Sequence, residues 1–103
     1  MSELNYEAIG RCKILNEKIK ALHAERMKAI GDLRSSVYSL HQKGDINRVP
    51  PELVEFDPQS LTDLVEKVSH YDSELMRAVH EYNNWCAEAG EKPVKLIEAT
   101  HAK

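Results

Sequence analysis

Long apolar runs are missing from this 103-residue chain. No uncharged stretch approaches the roughly 20 residues that cross a bilayer, and with 30% charged residues and a mean hydropathy of −0.53 the sequence reads as a soluble protein without a membrane span. Cysteine is scarce as well. Cys12 and Cys86 stand far apart and are too few for a disulfide-stapled scaffold or a four-cysteine zinc site, so both are expected to be buried, reduced thiols. The first residues, Met-Ser-Glu-Leu-Asn-Tyr-Glu, lack a basic start followed by an apolar block, so no secretory signal is expected and the reading is cytoplasmic. The length allows one small domain.

The motifs that carry chemistry are absent too. There is no Gly-rich phosphate loop and no G-x-S-x-G elbow. The five histidines, His23, His41, His70, His80 and His101, project to different sides and form neither an H-E-x-x-H nor the two E-x-x-H motifs that di-iron bundles need, so no metal site is expected. Asp63, Glu66, Glu74 and Glu81 spread over a face instead of converging, whereas paired acid and base roles need a cleft. No catalytic residue, metal or cofactor is assigned, and the chain is not read as an enzyme. Charge is divided unevenly: residues 1–43 hold eight Lys or Arg against five Asp or Glu, a net +3, and the rest hold six against twelve, a net −6. The signs are interspersed, which fits two halves that attract each other better than a nucleic-acid arm.

What is present is helical periodicity. A first helix is expected over about 3–43, opened by Ser2 as N-cap and stopped by Gly44, with Gly10 and Gly31 its only poor helix formers. The connector 44–57 contains Pro50 and Pro51, which exclude a continuous helix. One short turn through Val54 would let Ile46, Val49, Leu53 and Phe56 cap the end of the core. Asp57 followed by Pro58 is an N-cap with proline at N1, and the second helix is expected over about 58–89. In the final segment, 90–103, Val94-Lys-Leu-Ile-Glu-Ala suggests a short helix or strand with Leu96 and Ile97 docked and a frayed end from Thr100.

The first helix has the stripe Cys12, Leu15, Ile19, Leu22, Arg26, Ile30, Leu33, Val37, Leu40, and the second has Leu61, Leu64, Val68, Tyr71, Leu75, Val79, Tyr82, Cys86, Ala89. Both contain one consecutive pair of four-residue steps, a stutter in a coiled-coil-like heptad. The two series match in antiparallel register, so that Leu40 meets Leu61 and Cys12 meets Ala89. The fold expected is all-α: two long antiparallel helices forming a single helical-hairpin domain, 1–103. Arg26 at the stutter needs a partner, and Asp72, about 60° off the facing seam, is the nearest acid.

Ile9, Met27 and Tyr38 on the first helix, and Val65 and Met76 on the second, share one flank by helical arithmetic. A hairpin buries only a seam, so this flank is read as a dimer interface that completes a four-helix bundle; the tail folding over it is the competing arrangement. On the other flank Trp85 and Ile14 lie near Arg11 and Lys18, residue types in which binding energy concentrates, and these four are the candidates for binding another protein. The functional expectation is a non-enzymatic intracellular interaction or adaptor protein acting as a homodimer, of a size that fits a small phage-encoded or regulatory accessory factor. The alternative is a nucleic-acid-associated accessory protein using the basic first helix; Glu7, Glu17 and Glu25 interrupt its basic residues and a pI near 5.9 disfavours it.

Overall fold

A computed structural model describes residues 5–98. Among them the architecture is all-helical: α1, Tyr6–Gln42, and α2, Pro58–Trp85, pack against each other, and no strand is formed. The chain divides into two compact units, one from its two ends, up to Ala21 and from Leu75 onward, and the other Leu22–Glu74.

Local chemistry sets the helix ends. The expected cap Ser2 lies outside the described residues. Asn5 caps α1: its Oδ1 accepts the Ala8 N–H at 3.0 Å, which satisfies one orphan donor of the first turn, and its carbonyl accepts the first intrahelical bond from the Ile9 N–H. Asp57 caps α2 with Pro58 at N1, its Oδ1 accepting the Gln59 N–H at 3.2 Å. Regular helix ends at Trp85, short of the expected 89. The turn that follows closes on Gly90, whose φ is 76°, with Glu91 N–H donating to the Cys86 carbonyl and Gly90 N–H to that of Ala87, the paired bonds of a Schellman stop.

In the first unit the helices run antiparallel and share a core of Cys12, Leu15, Tyr82 and Cys86, flanked by Ile19, Trp85 and Ala89. Ala8, Leu75, Ala78 and Val79 are buried as well. The segment 91–98 is irregular, not the short helix or strand expected. Asn83 holds it with two bonds, Nδ2 donating to the Val94 carbonyl and Oδ1 accepting the Val94 N–H at 2.8 Å. Leu96 and Ile97 stay exposed, because the clamp fixes backbone and leaves their side chains without a surface to meet. The expected fraying from Thr100 lies outside the described residues.

The second unit departs from the expected seam. Ile30 and Val37 are exposed, while Ala29 is 1% exposed and Ser36 is half-buried. Apart from Ser39, the covered positions of α1 here are Leu22, Arg26, Ala29, Leu33, Ser36 and Leu40, an unbroken 3–4 repeat without the stutter. Small side chains at two of these positions allow helix axes to approach. Opposite them Leu61, Leu64, Val68 and Tyr71 are half-buried. Ala29 is the only apolar residue of this unit that is fully buried.

The connector forms no helical turn. The Asp45 carbonyl accepts from Arg48 N–H and Glu52 N–H, its Oδ1 accepts from Asn47 N–H at 2.9 Å, and Arg48 pairs with Glu52 at 3.0 Å. These bonds close residues 45–52 on themselves. Ile46, Val49 and Leu53 therefore point to solvent instead of capping a core, Val49 being 98% exposed. Only Phe56 comes near that expectation: it lines a cavity of about 190 Å³ with Leu40 and Leu61 while remaining more than half exposed.

Candidate interaction surfaces

Three surfaces are built on these elements. The first belongs to α1 of the second unit. Met27, Ile30, Val37 and Tyr38 recur at helical spacing and all are exposed, as is Val65 on α2. Arg26 and Asp72 tie this region together, Arg26 Nη1 donating to Asp72 Oδ1 at 2.7 Å. The pair is half-buried, the two side chains being 25% and 49% exposed. Arg26 Nε is buried without a partner, so the guanidinium is satisfied at one end only.

The second surface is the connector tip, an apolar cluster on a loop ordered by its own backbone. Gly44 is its neck: at φ 82° it adopts a left-handed conformation, and a Cβ there would meet the backbone of residues 52–54 at 3.1–3.2 Å. The loop is acidic overall, since Arg48 is its sole basic residue among Asp45, Glu52, Glu55 and Asp57.

The third surface is at Trp85, in the first unit. The Arg11 guanidinium lies over the indole at 4.9 Å from the ring centroid, and Glu7 accepts from Arg11 Nε at 3.2 Å. Ile14 and Lys18 follow Arg11 at i+3 and i+7 on the same side of α1, both exposed. The structure thus brings Arg11 and Trp85 into contact and aligns Ile14 and Lys18 beside them. No family model matches the chain. Comparison with curated proteins and with solved structures also gives no match.

The remaining sequence-derived interface residues, Ile9 and Met76, are in the first unit. Ile9 is exposed at a cavity of about 230 Å³ lined also by Cys12, Lys13, Asn16, Tyr82 and Glu91, and Met76 is half-buried. Cys12 and Cys86 are both buried and unpaired as thiols. Burial, then the neighbouring Cys86 and Glu91, push the Cys12 thiol above its ordinary value. Burial and Glu91 do the same to the Tyr82 hydroxyl. Such a thiol stays protonated near neutrality and is a poor nucleophile. Among the described residues no three His, Cys, Asp or Glu side chains gather as metal ligands, and no helix is long and apolar enough to cross a membrane.

Sequence reasoning missed Ile30 and Val37 as surface residues and Ile46, Val49 and Leu53 as an exposed tip. For the tip a signal was present: Asp two residues before Asn in Asp45-Ile-Asn-Arg is suited to an Asx turn, which competes with burial of the intervening residue.

Proposed function

We propose that this chain is a non-enzymatic interaction module that works as a homodimer, the second copy covering the α1 face of the Leu22–Glu74 unit, and that a further protein docks elsewhere on its surface. One observation carries the reading: this unit places alanine, serine and arginine in its seam and leaves Met27, Ile30, Val37, Tyr38 and Val65 in water. A unit whose only fully buried apolar residue is an alanine gains little from its own core. Burying the outward side chains instead contributes roughly 1.5–3 kcal/mol for each that goes from full exposure to full burial, and about half of that from their present state. Methionine suits such a face because its flexible side chain adapts to a neighbouring surface.

The second docking role rests on the Arg11, Ile14, Lys18 and Trp85 group, where a stacked aromatic and cation sit beside an exposed isoleucine. Sedimentation equilibrium at about ten micromolar tests the dimer. A mass near twice 11.7 kDa, falling to the single-chain mass in Met27→Glu and Val65→Glu, supports it. A wild-type mass of 11.7 kDa with full helicity refutes it.

A further inference from the structure

We infer that the dimer is isologous and antiparallel about α1, with Tyr38 of each copy seated in a notch at Gly31 of the other and the two-fold axis passing by Arg34. The inference rests on the dimer reading above and specifies its geometry.

The face is continuous. On a repeat of about 100° per residue, Ile30, Val37, Met27 and Tyr38 lie between about 60° and 160° to one side of the α1 seam, the side toward which Arg26 leans. On α2, Val65 and Asp72 lie to the corresponding side of that helix's seam. The Arg26–Asp72 bond joins these two sides, so the five apolar residues border one face of the Leu22–Glu74 unit. Their exposures run from 37% at Ile30 to 61% at Tyr38. With on the order of 60–120 Å² for each side chain in full, the exposed parts come to roughly 150–300 Å² of apolar surface. A standard interface takes about 800 Å² from each partner, a little over half of it apolar. The side chains bordering one face of this unit therefore supply about half the apolar share that a second copy requires.

At the α1 edge of this face, on the side of the helix away from α2, lies its complement. A depression of about 650 Å³ is lined by Gly31, Arg34, Ser35, Tyr38 and Ser39. Gly31 lies in the interior of α1, where glycine disfavours helix relative to alanine, and a Cβ built there meets nothing within 4 Å. Packing within the chain gives no reason for the missing side chain, and the open space admits the close approach of a second helix. Tyr38, exposed two helical turns further along, is a knob that can fill it, since a two-fold axis midway between knob and notch makes each copy fill the other. That midpoint falls between Arg34 and Ser35, and the long Arg34 stem can lie along the face with its charge at the rim.

The test separates the geometry from the dimer itself. Sedimentation equilibrium is run on wild type, Gly31→Leu and Tyr38→Glu, with helicity and thermal melting recorded for each. Leucine at an open helical site favours folding, so Gly31→Leu should keep its helicity while its dimer dissociates about tenfold or more readily. Arg34→Cys should cross-link to its own counterpart under mild oxidation. Glu66→Cys, on the outer side of α2, and wild type should not. A wild-type dimer that Gly31→Leu leaves intact, or that fails to cross-link at Arg34→Cys, overturns this seating while the dimer stands. A monomeric wild type overturns the dimer and the seating together.

Discussion

Asp72→Ala is the perturbation that best probes the seam of the Leu22–Glu74 unit. The bond it removes is short, 2.7 Å, and charge-assisted, but the pair sits between two regimes, with Arg26 three-quarters covered and Asp72 half open to water. Fully exposed pairs contribute about 0–1 kcal/mol, whereas breaking a buried one costs about 3–5 kcal/mol because a charge is stranded. Water at Asp72 screens the attraction, so the sum is nearer the lower figure. The stranded guanidinium, whose Nε already lacks a partner, raises it. The expected loss is about 1.5 kcal/mol, below the roughly 3 kcal/mol appropriate to full burial. Arg26→Met behaves differently. It strands nothing, because half-exposed Asp72 keeps its hydration, and it places an apolar chain in the seam, so its stability should fall within about 0.5 kcal/mol of wild type or exceed it. Urea unfolding of the two single variants and the double variant, at one fixed protein concentration, measures all three. For a chain of this size Asp72→Ala should lower the midpoint by about 1 M. If Asp72→Ala stays within about 0.3 kcal/mol of wild type, or loses as much in the Arg26→Met background, the bond contributes nothing and Arg26 reaches water unaided.

The connector tip makes a contrasting case: Val49→Glu should leave the melting temperature unchanged, since the side chain is 98% exposed, and a large drop would restore its role as a core cap. Gly44→Ala should destabilise by more than about 1 kcal/mol through its positive φ and the close backbone of residues 52–54, while Gly10→Ala, in open helix, should stabilise by up to about 1 kcal/mol; chemical denaturation ranks them. Cys12 resists ionisation in the folded state, so the fold binds its proton more tightly than the unfolded chain does. Its contribution to stability is complete below the ordinary thiol value of 9.0 and is lost as pH rises from there through the raised value. Cys12→Ala should flatten that alkaline decline, and a thiol reagent should label native wild type slowly. Asn83→Ala should speed proteolysis within 91–98 with little change in the helices' unfolding midpoint, since Asn83 makes two bonds to that segment's Val94.

Where a helix boundary was legible, its signal is local. Asp57 with Pro58, Gly44 and Gly90 act through their own backbone, and each does in the structure what its residue type prescribes. The seam was less legible. Hydropathy favours Ile30 over Ala29 and Val37 over Ser36, yet a helix pair selects positions by the continuity of the 3–4 repeat, and small residues let the axes close. The error at Ile30 and Val37 has the same cause as the spurious stutter, one extra residue taken where an isoleucine outweighed an alanine. In the connector, hydropathy argued for burying Ile46, Val49 and Leu53, while the acceptors of Asp45 had already closed the loop. Arg26 and Asp72 were readable because angle and level along two helices suffice to place them.

The two helices differ in a way that bears on where the proposed second copy would sit. α2 is strongly amphipathic, with one apolar face against one polar face, and that pattern is satisfied by a single partner, α1. α1 is only weakly amphipathic although it is the longer helix. The weakness does not come from a lack of apolar residues. In the Leu22–Glu74 unit they form two stripes, Leu22, Ala29, Leu33, Leu40 toward α2 and Met27, Ile30, Val37, Tyr38 away from it, and their vectors partly cancel. A helix built to meet one neighbour would have concentrated its larger side chains on one side. The distribution in α1 instead suits two neighbours, of which the chain itself supplies one, and this supports placing the second copy on α1 while α2 keeps its polar face in water.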